Sequence, residues 1–422
     1  MSTRSGIMIF KLQLPIEVWE RVIDHLWEDY PELFACSLVC RAWRARCSFQ
    51  LLSRVFLHSR ADVYRLAKRL KSQHAYREQV HTLIVRGDPK EETRKPIPQL
   101  GTLAAVFAAS PPYAKDMGIW HATWQSSLIP KDVFLHLTTF VAVTRLTLAH
   151  VTFPTVLTFG RLTSALPNLQ TLACRDVAFE KKRFPIAFLA GPSTIVDFNM
   201  LCGTPMDEVV DFLVTTAGIA QGLEELRVAF WDPAPLLKDL KALRVKQLLQ
   251  AASDSLSTFD IRFGGVDLDP AAASEAINEL DLSTNSNLRD LRLTLQVLRV
   301  PPEGKPVQEC TWLYTLLSRI VPEELVCLSL EFDIRDMKTE TDPVAALDMV
   351  SMLLTSGLSS KIDALLTDAK FKNLQSVYIA VFCATRGVLA DEDNWSLIVQ
   401  PRFPELNKRG ILHTAVDIDL ER

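Results

Sequence analysis

The residues of this 422-residue chain that could do chemistry are arginines and aspartates at one recurring position, not a catalytic constellation. A six-residue template, apolar-x-x-apolar-x-apolar, appears as VHTLIV from Val80, VTRLTL from Val143, LQTLAC from Leu169, IVDFNM from Ile195, LEELRV from Leu223, LSTFDI from Leu256, LRDLRL from Leu288, LVCLSL from Leu325 and LQSVYI from Leu374. Side chains alternate along a strand, so the residue between the last two apolar positions points away from the core. From Ile195 on, that row reads Asn199, Arg227, Asp260, Arg292, Ser329 and Tyr378, and flanking rows add Arg145, Arg175, Asp197, Arg262, Asp290 and Glu331. The candidate target-binding residues are Arg145, Arg175, Asn199, Arg227, Asp260, Arg262, Arg292 and Tyr378. Guanidinium groups in such an array suit an acidic or phosphorylated peptide. Arg227, Asp260 and Arg292 alternate in sign, so pairing with one another across the strands is the competing expectation.

No sequence pattern prepares a nucleophile, a phosphate cradle or a metal. G-x-G-x-x-G, the Walker loop, H-E-x-x-H and G-x-S-x-G are absent, and the 8 histidines include no pair at ligand spacing beside carboxylates. Cys36, Cys40 and Cys47 suit small apolar helix positions better than metal ligands. The reading is a binding protein with no catalytic residue, cofactor or metal. Eight scattered cysteines with no secreted framework read as reduced thiols in an intracellular protein, cytoplasmic or nuclear. No signal segment is visible and no apolar stretch is long enough to span a bilayer.

The elements that would position the polar rows repeat with them. From Val143 the template starts lie 26, 26, 28, 33, 32, 37 and 49 residues apart, the periods of leucine-rich repeats, in which each unit gives a short strand and a returning helix. MDEVVDFLVTTAG, LLKDLKALRVKQLLQAA, TWLYTLLSRIV and VAALDMVSMLLTSG have the helical spacing that fits the return. The fold class is therefore α/β: an N-terminal helical piece followed by an irregular right-handed leucine-rich-repeat-like solenoid, parallel strands on one face and helices on the other. IWHATW from Ile119 is the candidate for a unit missing between Val80 and Val143. GDPKEETRKPIPQ reads as a linker, VLRVPPEGKPVQEC and DIRDMKTETDP as insertions, Trp231 as packing, and RFPELNKRGILHTAVDI as a final unit with Ile411 and Val416 under the last edge. The Asn or Cys expected three residues after the last apolar position is missing from most repeats, which predicts an irregular shape.

Net charge is -4, which gives no argument for nucleic acid. Residues 1–80 carry 13 basic against 8 acidic side chains, so a positive head precedes a negative body. The basic excess reads as solvated helix faces, with neither nucleic acid nor membrane as partner.

At the head, LPIEVWERVIDHL starts a helix at Pro15, with Glu17 in the first turn where the helix dipole favours a carboxylate. Val18, Val22, Ile23 and Leu26 form its apolar stripe. Pro31 stops this helix, and ELFACSLVCRAWRARC follows as a second one. About 40 residues cannot easily bury enough surface to stand alone, so the piece should lean on something. A cap over the open end of the repeats is the plain alternative.

The two stretches together resemble an F-box. Leu14, Pro15, Glu17, Val18, Ile23, Leu26, Leu38, Val39, Cys40, Arg41 and Trp43 stand where that family's pattern asks. The resemblance implies docking on a Skp-family adaptor, and through it on a cullin-RING scaffold, by Leu14, Pro15, Glu17, Val18, Val22, Ile23, Leu26, Leu38, Val39, Cys40 and Trp43. On this reading residues 10–55 are the F-box, 56–100 a helical connector with the first strand and a linker, and 101–422 a target-binding solenoid with a C-terminal cap. The implied function is the substrate-recognition subunit of a Skp-cullin-F-box ubiquitin ligase, with an unknown target protein. A scaffold that does not direct ubiquitin transfer and a small-molecule-dependent receptor are the alternatives.

Overall fold

A computed structural model describes residues 15–418, apart from 27–28, 73–75, 89, 91–92, 182–193, 203–206, 216–218, 231–243, 265–276, 297–310, 322, 335–349, 351–352 and 384–391. The insertions VLRVPPEGKPVQEC and most of DIRDMKTETDP lie outside the described residues, as do Leu14 and Trp231.

The apolar positions of the template become the buried face of one parallel sheet. In VTRLTL, Val143, Leu146 and Leu148 are all buried, and the same holds for Leu169, Leu172 and Cys174 in the next unit. The strands are β1 (Arg54–Leu57), β2 (Thr82–Arg86), β3 (Lys95–Pro96), β4 (Asp116–Thr123), β5 (Arg145–Thr155), β6 (Thr171–Lys181), β7 (Asp197–Cys202), β8 (Glu225–Phe230), β9 (Thr258–Gly264), β10 (Asp290–Gln296), β11 (Cys327–Asp333), β12 (Ser376–Cys383) and β13 (Leu412–Ile418). They pair in sequence order from β1 to β13, with short β3 beside β4 off that path. Helices return between strands, among them Val156–Ser164, Asp207–Thr215, Val245–Ala251, Thr311–Ser318 and Ser356–Thr367, and their apolar sides join one continuous core with the strands. Each unit buries its face only against its neighbours, which is the physics of a solenoid.

Three sequence expectations change, and a fourth falls mostly outside the described residues. The missing unit is AKDMGI from Ala114, with Ala114, Met117 and Ile119 buried, so IWHATW marked the right strand in the wrong register. A unit starts earlier still, at Leu52, and gives β1 directly after the N-terminal helices. The connector thus belongs to the sheet, and within the GDPKEETRKPIPQ linker Lys95 and Pro96 pair with Ala122 and Thr123 of β4. VAALDMVSMLLTSG lies mostly outside the described residues; the helix that follows is Ser356–Thr367, begun by Thr355, whose hydroxyl accepts the Leu358 N–H at 3.3 Å.

A side-chain ladder does bind the units, on the near side of the strand and not the far side. The residue just before the first apolar position reaches back to a carbonyl one unit earlier: Asn168 to Val141, Thr194 to Leu169, Ser255 to Leu223, Asn287 to Asp254 and Asn373 to Glu323. Such bonds satisfy the backbone carbonyls of turns that no strand partner reaches. The C-terminal unit closes as expected, with β13 on the edge and Ile411 and Val416 half-buried against the core. Buried Asp363 accepts the Glu405 and Leu406 N–H groups at 3.0 and 2.9 Å, and Trp395 Nε1 donates to the Ile379 carbonyl at 2.8 Å.

Candidate functional site

The N-terminal residues form three helices, α1 (Ile16–His25), α2 (Tyr30–Ser37) and α3 (Arg41–Ser53). Pro31 lies in the first turn of α2, where a missing N–H costs nothing, so it opens this helix and does not stop α1, which already ends at His25. The single second helix expected there is broken at Leu38–Val39–Cys40, and the Cys40 sulfur accepts the Trp43 N–H at 3.5 Å as the cap of α3.

This module has its own small core. Ile23, Leu33 and Cys47 are buried, and Leu26, Cys36, Trp43 and Leu51 pack around them. Trp19 and Trp43 meet with ring centroids 4.7 Å apart. Arg46 of α3 donates through Nε and Nη2 to the two carboxylate oxygens of Asp24 on α1 at 2.6 and 2.5 Å, and Gln50 adds a third bond. The Arg46 bond holds the Asp24 carboxyl below its ordinary value, against a smaller opposing effect of burial.

The candidate adaptor residues therefore split. Ile23, Leu26 and Trp43 turn inward and hold the helices together, so their contribution to a partner surface is indirect. Pro15, Glu17, Val18, Val22, Leu38, Val39 and Cys40 are exposed. Leu38 and Val39, at the break, are 73% and 63% exposed, and Phe34, which sequence reasoning passed over, is 61%. Ile16 belongs to the same exposed set. These exposed apolar side chains, on α1 and at the end of α2, are the module's candidates for contact with a partner.

The module is joined to the sheet without a spacer. α3 runs straight into β1, Tyr30 of α2 packs edge-on against Phe56 of β1 at 5.3 Å, and the Tyr30 hydroxyl donates to the Arg54 carbonyl. A helix α4 (Arg60–Ser72) then covers the first unit, with Val63, Leu66, Ala67 and Leu70 inward.

On the open face of the sheet the register places Asn199, Arg227, Asp260, Arg292, Ser329 and Tyr378 in one row, which continues to His413 on one side and to Ala173, Thr147, Gly118, Ile84 and Phe56 on the other. From β8 to β11 its charges are used internally. Arg227 pairs with Glu225, Arg292 stands with Nε 3.1 Å from Glu331 and Nη1 3.8 Å from Asp260, and Arg262 reaches across β10 to buried Asp333. Glu331 also accepts the hydroxyls of Ser329 and Thr294 at 3.0 and 2.8 Å. Burial pushes Asp260 and Asp197 up from the ordinary carboxylate value, with Glu331 and Glu225 respectively adding to it. Of the cross-strand pairing expected among Arg227, Asp260 and Arg292, Arg292 with Asp260 is the part that forms; Arg227 turns to Glu225 on its own strand, and Arg262 to Asp333. Arg145 stands 3.8 Å from Asp116, Asn199 is half-buried, and Tyr378 stacks on His413 at 4.8 Å.

Arg175 lies elsewhere, at a ledge in β2–β6. Between Trp120↔Ala149↔Arg175 and Ala122↔Val151↔Val177 each of β4, β5 and β6 carries one extra residue, His121, His150 and Asp176, all with positive φ (48°, 54° and 50°). Gly87, the residue just past β2, holds the same level: its N–H donates to the Trp120 carbonyl at 2.9 Å, and a Cβ there would stand 2.3 Å from the His121 carbonyl oxygen. The extra residue flips the strand's parity, which the sequence shows as L-x-L-x-x-V-x-F in LTLAHVTF and again, with Cys as the second apolar residue, in LACRDVAF. Beyond the ledge Trp124, Phe153 and Phe179 stack inside the core.

At the ledge His121 and His150 stack at 4.6 Å, and His150 Nδ1 is 2.8 Å from Asp176. Arg94 donates to Asp176 at 2.5 Å and to Thr152 at 2.6 Å. Asp88 is buried, bonded to the Thr93 hydroxyl, the Lys90 and Thr93 amides and Lys95, and is held far below the usual carboxylate range by them, the Thr93 hydroxyl first. Arg86 lies over the rings of Phe56 and Trp120, each at 5.6 Å. Burial lowers the His121 imidazole, and the charges of His150, Arg86 and Arg175 lower it further, with Asp88 opposing.

Among the described residues no three His, Cys, Asp or Glu side chains gather as a metal site, and no helix is long and apolar enough to cross a membrane.

Comparison with known proteins identifies the module. No curated protein matches the chain. Among solved structures it is similar to a chain of the TLR13–ssRNA13 complex, at 13% identity and TM-score 0.33 over 81% of this chain and 39% of that one. It is also similar to a chain of the Rad7 and Elc1 complex in yeast, at 15% identity and TM-score 0.23 over 89% and 96%. Neither similarity is close enough to bear on what this chain binds. Residues 12–54, in contrast, match the F-box domain family. The chain carries an F-box domain at residues 12–54, set directly against a parallel, leucine-rich-repeat-like solenoid.

Proposed function

We propose that the protein is the substrate-recognition subunit of a Skp-cullin-F-box ubiquitin ligase: the F-box holds a Skp-family adaptor, the solenoid holds a target protein, and ubiquitin transfer is carried out by the cullin-RING partner. The observation that carries this reading is the exposed apolar set Pro15, Ile16, Val18, Val22, Phe34, Leu38 and Val39, on a module whose family match is an F-box. A cap over the repeats would turn such residues toward the sheet. Here the module meets the sheet through Tyr30 and α3 and leaves the apolar set outward. Candidate adaptor contacts are those residues with Leu14, Glu17 and Cys40.

The test is co-purification of the full chain with a purified Skp-family adaptor, comparing it with the double variant Leu38→Asp, Val39→Asp. Both side chains are exposed, so folding should be retained. Loss of the adaptor with unchanged thermal unfolding supports the reading; an undiminished complex overturns it. Slower turnover of a bound target when this variant replaces the native chain would separate a ligase receptor from a mere scaffold.

A further inference from the structure

The outer side of the first solenoid helix, α4, carries a stripe of cations that the fold leaves unused. Arg60, Tyr64, Lys68 and Lys71 follow one another at spacings of four, four and three, so they share one side of the helix, and all four are exposed. Among the described residues none of their side chains has a hydrogen-bond or ion-pair partner. The helix's other cations are engaged: Arg65 pairs with Asp62, and Arg69 lies over the Tyr76 ring at 5.1 Å. Asp62 itself is held at the helix start, accepting the His58 and Ser59 N–H groups at 3.1 and 2.8 Å.

The elements around α4 bring little counter-charge. A short helix α5 (Tyr76–Gln79) follows it with Arg77 and one exposed carboxylate, Glu78, and α3, against which α5 packs, holds three arginines and no acid. A helix α6 (Pro98–Phe107) packs along α4, and no residue from Pro96 to Ala114 is charged. Gln73, His74 and Ala75, outside the described residues, add no carboxylate. The loop after β2, which carries Glu91 and Glu92 outside the described residues, leaves the sheet at the end where α4 begins, because β1 and β2 run parallel. Lys68 and Lys71 stand about 12 and 16 Å along the axis from that end. The positive field there is local and uncompensated.

We infer that the outer stripe of α4 is a docking surface for an acidic protein segment, an extended run of carboxylates lying along the helix from Arg60 to Lys71. Residues four apart on a helix rise about 6 Å, close to the spacing of about 7 Å between alternate side chains of an extended chain, so successive carboxylates meet successive stripe positions. Tyr64, between Arg60 and Lys68, adds a hydroxyl that can donate to one of them. A large polyanion fits less well. The stripe is one helix wide and its flank α6 is uncharged. Of the 46 basic and 50 acidic side chains, 33 and 42 lie beyond residue 80, so a nucleic-acid duplex or an anionic membrane would meet repulsion past the stripe. The inference concerns the helical side of the solenoid and does not rest on the proposed ligase role.

The experiment is fluorescence anisotropy of a labelled hexaglutamate peptide with the full chain, with hexaglutamine, a DNA duplex and phosphatidylserine vesicles as comparison probes. Six extended residues span about 20 Å, enough to cover the stripe. Hexaglutamate should bind, and raising the ionic strength from about 0.01 to about 0.15 M should weaken it several-fold, because the screening length falls from about 30 to about 8 Å. The double variant Lys68→Glu, Lys71→Glu should weaken it by about tenfold or more, since two attractions become repulsions. Lys361→Glu with Lys372→Glu, both exposed near the other end of the solenoid, changes the net charge equally and should leave binding unchanged. If charge reversal lowers the unfolding temperature, the pair Lys68→Gln, Lys71→Gln repeats the test and should still weaken the peptide several-fold. Hexaglutamate binding no better than hexaglutamine, or equal loss in the two charge-reversed variants, overturns the inference. So does binding of the duplex or the vesicles through Lys68 and Lys71 where hexaglutamate does not bind.

Discussion

The F-box module and the solenoid solve the burial problem in opposite ways. Among the described residues the solenoid puts most of its large apolar side chains into one continuous core and shows charges on its open face. The module keeps a core of three fully buried residues and leaves Leu38, Val39 and Phe34 in solvent. A segment this small cannot cover all its apolar surface, and the uncovered part is what a partner can use. The difference teaches where to expect coupling: changes in the solenoid core should read out as stability, and changes on the module's surface as binding.

The largest effects should come from the solenoid. Asp333 is fully buried and holds Arg262 from two strands away. Asp333→Ala strands that guanidinium in the interior and should cost about 3–5 kcal/mol in denaturant unfolding. Leu148→Ala, which empties a fully buried site between units, should cost about 2–5 kcal/mol. A cost below about 1 kcal/mol for either would mean that the units yield locally and do not share one core.

Next comes the module. Ile23→Ala should loosen the three helices by about 2 kcal/mol and weaken adaptor binding only as a consequence. Leu38→Ala should change stability by less than about 0.5 kcal/mol, yet cost about tenfold or more in adaptor affinity if it lies at the centre of that interface. Equal behaviour of the two variants would erase the distinction between the module's core and its docking face.

The polar ladder should give a smaller and more even effect. Asn168→Ala, Asn287→Ala and Asn373→Ala each remove one bond to a carbonyl of the preceding unit, for about 1 kcal/mol apiece, and their effects should add because the sites are distant.

Much of this was legible in the sequence, and the misses have physical reasons. The template from Val143 to Leu374 predicted strand order and register because each triplet, VTRLTL through LQSVYI, is buried on one side with period two. AKDMGI escaped because alanine and methionine carry a weak apolar signal and Gly118 interrupts it. The ladder is hard to read because the leucine-rich pattern places its Asn or Cys after the strand, while Asn168, Asn287 and Asn373 precede theirs. On the open face, residue types located the charges, but pairing is decided by register: Arg262 meets Asp333 from two strands and 71 residues away. The ledge had a visible sign, the parity break in LTLAHVTF, yet nothing in one strand says that its neighbours break at the same level.

The smallest effect is the one that sets the two regions against each other most directly, through pH. Asp24 in the module is held below its ordinary value by Arg46, so its stabilisation is present above the unfolded carboxylate value and is lost as pH falls through the folded one. Asp260 and Asp197 on the sheet are raised by burial, so their contribution has the opposite sign: it is present below the unfolded value and lost as pH rises through the folded one. Lowering the pH from neutral toward about 4, the ordinary carboxylate range, should therefore strengthen amide protection in β7–β10 before it touches α1 and α3. Below that range the helices of the module should begin to exchange faster. Hydrogen exchange, corrected for its intrinsic pH dependence, reads both regions in one sample. Asp24→Asn should remove the acid response of the module alone, and Asp260→Asn should blunt that of the sheet alone. A common response of both regions to either substitution would show that α3 and β1, continuous in the chain, also unfold as one unit.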